Sequence, residues 1–425
     1  MVNGNRQLPD GWALETLGNI ADLVGGGTPS REHPEYFTGD IVWLTPTEIP
    51  RNCVSVISNS REKITQDGLK KSSARVVPKG TVLMTSRASI GYVAIAGTEV
   101  TTNQGFASFI PKDGINNYFL AYWLLGNADF FIQRATGTTF KEITKSKLRN
   151  FTMPVPPLPE QERIVAKIEE LFTQLEAGIS ALERVRAELR RYKASVLKAA
   201  VEGRLVPSGH GAAVPEPGEL PMGWQQVEFK DIITSLKNGF FYGRPSSEPI
   251  GIPILRISAL RPMSINFSDL RYVPEVKEKD IENYFLSKGD LLFTRYNGNL
   301  SLVGACGLVR DGSQRVIYPD KLIRVRIQAV ALPEYLEVYF ATIIARKHIE
   351  ARVKSTAGQH GIAGGDIKSI PVILPPLEEQ RRIVAEVERR LSVAREVESA
   401  VNAALVRAGR LRQAVLKSAF EGRLA

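Results

Sequence analysis

"PLPEQERIVAKIEELF", residues 157–172, returns as "PLEEQRRIVAEVERRL", residues 376–391. Across the first twelve positions eight are identical, and the two copies stand 219 residues apart. "VLKAAVEGRL" at 196–205 meets "VLKSAFEGRL" at 415–424 with eight of ten identical at the same spacing, so the segments between the matches have equal length. "LPDGW" at 8–12 and "LPMGW" at 220–224 are 212 apart, which places seven extra residues in the second copy before its repeat. The chain therefore carries one plan twice: a globular module, a proline-rich exit and a long helix.

Apolar spacing predicts the helices. In the first copy Ile164, Ile168, Leu171, Leu175, Ile179, Leu182, Val185, Leu189, Tyr192 and Val196 recur at about 3.6 residues, the period of an α-helix. The second copy is weaker but in register: Ile383, Val387, Arg390, Ala394, Glu398, Val401, Ala404, Ala408, Leu411 and Val415. Pro159 suits a first turn, Glu160 and Glu162 favour the positive end of the helix dipole, and Gly203 and Gly422 suit the exits.

Charge predicts the pairing of these helices. Residues 158–176 hold five acids against two bases, and 183–205 hold three acids against seven bases. The second helix goes from six acids and five bases over 377–398 to one acid and five bases over 399–424. Antiparallel packing sets acidic ends against basic ends, whereas parallel packing opposes like with like. The short linker "VPSGHGAAVPEPGE", 206–219, agrees, since it holds the second module near the end of the first helix. The expected architecture is α+β: two globular domains, 1–156 and 220–375, separated by two long antiparallel coiled-coil helices, 157–205 and 376–425, in a pseudo-two-fold internal repeat. Two similar modules on a stiff spacer match the local dyad of duplex DNA, and their divergence implies two different half-sites.

Composition limits the alternatives. The chain has 425 residues, 43% of them hydrophobic and 24% charged, and a net charge of +10 that fits a polyanionic partner. No uncharged apolar run reaches a membrane span and "MVNGNRQLPDGW" has no apolar core of a secretory signal, so a cytoplasmic location without membrane attachment is expected. Cys53 and Cys306 give neither a disulfide framework nor a metal spacing, and His33, His210, His348 and His360 are scattered, so no metal site is expected. Gly25, Gly26 and Gly27 before Thr28 lack the rest of a phosphate-binding loop, and Pro29 blocks the helix that should follow; a turn explains them better. Glu275-Val276-Lys277 is a lone E-x-K and no methyltransferase signature occurs, so the chain reads as non-catalytic and without cofactors.

In the first module "IVWLTPTEI", "TVLMTSRA" and "YVAIAG" read as strands and "NNYFLAYWLLGNADFFIQRA" as a helix. The second module offers "GIPILRISAL", "GDLLFTRYNG", "LVGACGLVR" and then "PEYLEVYFATIIARKHIEARV" in the same order. The runs "VGGGTPSREHPEYFTGDIVWLTPTEI", "TTNQGFASF", "YFLAYWL" and "ATGTTFKEITKSKLRNFTMPVPPLPEQERIV" resemble the target-recognition domain and conserved helix of type I restriction-modification specificity (S) subunits. "LKNGFFYGRP", "GIPILRISAL", "KGDLLFTR" and "IPVILPPLEEQRRIV" resemble another branch of that domain. The resemblance covers nearly the whole chain. It implies a subunit that reads a bipartite, asymmetric double-stranded DNA site and docks methyltransferase (M) subunits, two of them on this reading, and restriction (R) motor-nuclease subunits.

Phosphates call for Lys, Arg and hydroxyls, and base edges for Arg, Asn, Gln or Lys with aromatic neighbours. The first module offers Thr138, Thr139, Lys141, Lys145, Lys147 and Arg149, with Arg31, Arg87, Asn103 and Gln104 as second choices. The second offers Lys237, Asn238, Tyr242 and Arg244, then Arg295, Tyr296, Asn297 and Asn299, and late Lys354, Gln359 and His360. A further apolar stripe, Val165, Phe172 and Ile179 with Val384 and Leu391, fits either burial against the protein's own modules or a partner helix; the resemblance favours the partner, an M subunit. A free-standing DNA-binding regulator and a coiled-coil interaction scaffold are the competing readings.

Overall fold

The computed structural model describes residues 8–137, 141–206, 220–274, 276–356 and 358–424. It divides into two compact units, residues 1–183 with 402–425, and residues 184–401. The division cuts both long helices, Leu158–Val201 and Leu377–Phe420, each of 44 residues. Each unit is thus a globular module with part of each helix.

In the first unit a five-stranded sheet runs in the order Ala21–Gly25, Phe106–Pro111, Val82–Thr85, Val93–Ala96, Val54–Ile57, antiparallel except for the last, parallel pair. Val82–Thr85 and Val93–Ala96 are buried throughout, because apolar residues cover both faces. On one side lies the helix Asn117–Gly126; on the other are Leu44, Ile49, Val77 and Val100. That two-sided burial explains their continuous rather than alternating apolar pattern.

The second unit has a four-stranded antiparallel sheet, Ile233–Asn238, Leu322–Ile327, Leu291–Thr294, Cys306–Leu308, with the helix Pro333–Phe340 in its core. Two helices expected to be single are broken. Asn117–Gly126 gives way to Ala128–Arg134 at Asn127, whose amide donates back to the Trp123 carbonyl at 2.8 Å. Pro333–Phe340 gives way to Ile343–Glu350, whose cap Thr342 accepts from the Ala345 N–H at 3.2 Å. In both, a local polar side chain competes with the main-chain ladder inside an apolar run.

The helix stripes are core at their anchored ends. Ile164, Ile168 and Val196, and Ile383, Val387, Ala394, Val401 and Ala408, are buried; Val185, Tyr192 and Leu411 stay exposed. Within the first unit the two helices run antiparallel: Ile179 borders the same cavity as Leu405 and Ala408, while Glu176, a turn earlier, bonds Arg412 at 2.9 Å. Within the second, Lys193 near the end of the first helix bonds Glu398, midway along the other, at 2.5 Å.

All three repeated motifs meet in each unit. In the first, the Trp12 indole donates to Glu160 at 3.1 Å, and the ring of Pro9 occupies the place a β-carbon on Gly422 would need. In the second, Trp224 donates to Glu379 at 3.0 Å and Pro221 sits likewise against Gly203. Both helix-end glycines have positive φ, +70° at Gly203 and +68° at Gly422, as their positions past the helices require.

The repeated glutamine ties each long helix to its own module. Gln161 is wholly buried; its oxygen accepts from the Asn116 N–H at 2.8 Å, and its amide donates to the carbonyls of Gly114 and Pro156 at 3.0 and 2.9 Å. Gln380 does the same with the Leu332 N–H at 2.8 Å and the Val330 and Pro375 carbonyls at 3.2 and 2.8 Å. Each glutamine therefore clamps the start of a long helix to the loop that leads into its own module's core helix.

Gln161→Leu would unpair the part-buried Asn116 N–H and the buried Pro156 carbonyl, while the carbonyl of exposed Gly114 can turn to water; each unpaired buried group costs about 1–3 kcal/mol. Urea unfolding is expected to show a loss of about 2–4 kcal/mol for Gln161→Leu and for Gln380→Leu. Glu162→Gln, exposed on the same turn, should stay within about 0.5 kcal/mol.

Candidate nucleic-acid interface

In the first domain the candidates gather where the strand Ala21–Gly25 ends, Val82–Thr85 ends and Phe106–Pro111 begins. The glycine run crosses the chain at Thr102–Asn103: the Gly27 N–H donates to the Thr102 carbonyl at 2.9 Å, and a β-carbon on Gly26 would overlap the Thr102 and Asn103 carbonyls. Close backbone crossing, rather than a turn or a phosphate cradle, is why glycine stands there. Gly25 has a different use, since the Lys145 ammonium occupies the space of its missing side chain. Beyond the crossing, the Thr28 hydroxyl donates to the side-chain oxygen of Gln104, and Asn103 accepts from the Gly105 N–H at 2.9 Å.

Residues 86–88 pair with 141–143 through Ile143 N–H to Ser86 O at 2.9 Å and Ala88 N–H to Lys141 O at 3.2 Å. This pairing brings Arg87 and Lys141, both exposed, to the edge that Lys145 shares. Lys147 is turned aside, its ammonium 3.4 Å from the Arg134 carbonyl. Arg149 is not brought in: its backbone packs on Gly18, ahead of the strand whose far end Lys145 covers. Arg31 is already neutralised by twin bonds of 2.6 and 2.8 Å to Glu62, which hold that carboxyl below its ordinary range, and its guanidinium lies 4.1 Å from the Phe37 ring. Thr138 and Thr139 lie outside the described residues.

The second domain joins two candidate groups that are distant in sequence. Tyr296–Asn297, Gln359–Gly361 and Lys354–Thr356 form one three-stranded antiparallel sheet, with Asn297 opposite His360 and Lys354 opposite Gly361. A β-carbon on Gly361 would meet the Tyr296 ring at 2.5 Å, so this glycine lets the ring lie flat on the sheet. Lys354 and Gln359 are exposed, while His360 is tied to the Ser355 hydroxyl at 2.6 Å. The Asn297 and Asn299 side-chain oxygens accept from the N–H groups of Asn299 and Ser301 at 2.9 and 3.0 Å, and so shape the turn.

Arg295 links this sheet to the main one. Its N–H donates to the Lys321 carbonyl at 2.8 Å and its guanidinium lies 4.7 Å from the Tyr296 ring. The Asp320 N–H donates to Phe240 O at 3.1 Å, which places the end of the strand Ile233–Asn238 beside it. There Lys237 stands 4.1 Å from the Tyr284 ring, Asn238 and Arg244 are exposed, and Tyr242 stacks on Phe240. No sequence signal singled out Phe241 between them, the most exposed aromatic of this edge at 75%.

The extra helix stripe requires correction. Val165, Phe172 and Leu391 are buried in the cores of their own units, Val384 packs against the core, and Ile179 is half-buried beside a cavity. Phe172 meets the Tyr122 ring edge-on at 5.8 Å. Such residues are spent on intramolecular packing, and the apolar surface the helices leave open is instead Leu158, Val185, Tyr192, Val393, Val397, Val406 and Leu411.

Buried acids serve the fold. Glu337 accepts from Arg310 at 2.6 Å and the Leu308 N–H at 2.7 Å, and Asp290 from Arg326 at 2.7 Å and the Ser287 N–H at 2.9 Å. Burial raises the thiol pKa of both Cys53 and Cys306, which disfavours the thiolate. Among the described residues no group of three or more His, Cys, Asp or Glu could hold a metal ion, and no helix is long and apolar enough to cross a membrane. Glu275 of the discounted E-x-K and linker residues 207–219 lie outside the described residues.

The family model of the type I restriction modification DNA specificity domain matches residues 9–184 and again 221–403. The EcoKI specificity subunit of Escherichia coli (strain K12), a type I restriction enzyme component, is 33% identical over 431 residues, covering 98% of this chain and 90% of that protein. The MjaIX specificity subunit of Methanocaldococcus jannaschii is 29% identical over 386 residues, covering 87% and 84%. In fold, the chain is similar to a solved structure described under complex assembly and conformational transition of the type I R-M system, with TM-score 0.68, 23% identity and coverage of 98% and 100%. The HsdS subunit from Thermoanaerobacter tengcongensis gives TM-score 0.57 at 21% identity, with both chains covered in full.

Replacing Lys141, Lys145 and Lys147 together by Ala is expected to weaken DNA binding and to flatten its dependence on log salt by roughly 0.9 for each phosphate no longer neutralised. Titration at several salt concentrations in the assembled complex checks it. An unchanged slope would remove this edge from the interface.

Proposed function

The chain belongs to the type I restriction-modification DNA specificity family, and from this premise we propose that each of its two domains reads one half of a bipartite, asymmetric DNA site. It is the non-catalytic DNA-specificity subunit of such a system. The observation that carries the two-reader proposal is the convergence of the same three motifs in each unit around domains whose strand-end edges differ. In the domain of residues 1–156 the reading edge is Thr28, Arg87, Asn103, Gln104, Lys141 and Lys145. In the domain of residues 220–375 it is Asn238, Arg244, Arg295, Tyr296, Lys354 and Gln359. Lysines and arginines meet phosphates; amides and the Tyr296 ring meet base edges.

The spacer helices, 157–205 and 376–425, hold the half-sites at a fixed separation, with the centres about one DNA turn apart so that both domains face one side of the duplex. The chain works in the cytoplasm, where the DNA is, and carries methylation and cleavage by partners: M subunits, two of them to match the two domains, and R subunits. The repeat favours this stoichiometry, since the repeated helix motifs of one unit have counterparts in the other. The regulator and scaffold readings lose ground to family membership.

Two measurements test the proposal. Mapping modified adenines in the genome of a host carrying the intact system should return one split motif, and exchanging residues 220–375 for those of a relative should change one half only. Change in both halves, or in neither, would refute one reader per domain. The purified chain alone should neither methylate nor cleave DNA, and adenine methylation without partners would overturn its non-catalytic role.

A further inference from the structure

Phe241 is 75% exposed, yet it is rigidly presented. Its neighbours alternate inward: Phe240 and Tyr242 stack at 6.4 Å with planes 20° apart, and both pack on the cluster of Ile254, Val273, Ile281 and Ile317. The backbone is clamped at the same place, with the Phe240 N–H donating to Tyr318 O at 2.8 Å and Phe240 O accepting from the Asp320 N–H at 3.1 Å. Gly239 cannot shift outward, because the crossing chain at Tyr318–Pro319 fills the space where its β-carbon would be. An in-out-in alternation fixed on both sides leaves the middle ring nowhere to go but solvent.

An exposed aromatic is common, but this one stands among cations and amides. Exposed Asn238 and Arg244 lie within three residues of it in the chain, exposed Lys321 and the acid Asp320 stand across the main-chain bond to Phe240, and Arg295 joins the same strand end through the carbonyls of Asp320 and Lys321. Positive charge around a projecting apolar ring is the surface that phosphates flank while a groove receives an apolar wedge. The equivalent crossing in the first domain, after Gly26, carries Gly27 and Thr28 instead, with the Thr28 hydroxyl bonded to Gln104. At this crossing, among the described residues, the second domain has the ring and the first does not.

We propose that Phe241 wedges into a base-pair step of the half-site read by residues 220–375 and unstacks it, so that this half is recognised partly through the ease of deforming that step. The inference rests on the proposed DNA-reading edge of that domain. Specificity at this step then follows base stacking rather than hydrogen bonding, and pyrimidine–purine steps are favoured because they open most readily.

The test uses the full chain assembled with its methyltransferase partners and a duplex of the mapped site carrying 2-aminopurine at successive positions of each half. Apart from the adenines that the methyltransferase subunits themselves flip out, binding should raise the emission of the probe at one step of this half and at no step of the other. Phe241→Ala should abolish that rise and weaken binding roughly 10- to 100-fold, the loss expected for one aromatic–base stack, whereas Phe241→Leu, still a wedge, should keep much of the rise. Folding is not at issue, because the ring is largely exposed; circular dichroism of the variants checks it. Unchanged affinity and emission in Phe241→Ala would overturn the wedge. If Lys354→Ala with Gln359→Ala still weakened binding in that case, the reading edge would stand without it; if they did not, both would fall. Weakened assembly with the methyltransferase at unchanged DNA affinity would likewise overturn the wedge and assign Phe241 to a protein interface.

Discussion

Two buried glutamines hold the architecture in place. Gln161 and Gln380 each satisfy one main-chain N–H and two carbonyls where helix, exit loop and core helix converge, and neither has solvent to fall back on. A buried amide with three matched partners fixes direction as well as position, because any other helix entry would strand polar groups in the core. The adjacent Glu160 and Glu379 add a second fixed point through the indoles of Trp12 and Trp224. The repeated E-Q dipeptide is thus a joint, and its repetition gives the two units the same joint.

The joint leaves the opposite end of each sheet free to diverge. In the first domain that end presents Thr28 with Gln104, a lysine seated on Gly25, and the paired segments bearing Arg87 and Lys141. In the second it presents Arg295 and a small sheet with Tyr296 lying on Gly361. A backbone crossing that only glycine permits recurs in both, at Gly26 and Gly239, so the framework is kept while the side chains around it change. The specificity domain is matched twice, and its two copies here keep the joint while the side chains at the proposed reading edges differ.

Much of this was legible in the sequence because it is periodic or repeated. The long helices, their antiparallel sense within each unit, the terminal glycines and the strands Val82–Thr85, Val93–Ala96, Leu291–Thr294 and Cys306–Leu308 follow from spacing, charge and punctuation. Other features depend on where the chain returns in space. The meeting of Tyr296 and Asn297 with Lys354, Gln359 and His360 needs strand pairing across some sixty residues, which no local pattern encodes. Arg31 read as a DNA-facing cation because its partner, Glu62, lies thirty-one residues away on the strand Glu62–Ile64. The helix breaks at Asn127 and Thr342 were hidden inside unbroken apolar runs, and the stripe through Phe172 looked available because its cover, Tyr122, belongs to the module. Phe241 stayed hidden because only the burial of both its neighbours marks it as presented.

The most direct test of the account concerns the helices between the joints. Ala181 and Ala400 occupy equivalent positions of the repeat, beside the division between the two units, so four residues inserted after each leave both joints and both edges intact. The insertion lengthens each helix by roughly 6 Å, nearly two base-pair steps, while approximately keeping the apolar stripe in phase. Adenine-methylation mapping of the active variant should then show the non-specific gap longer by about two base pairs with both half-sites unchanged. The original gap would contradict the account of helices as the ruler, and altered half-site bases would contradict the assignment of reading to the two domains.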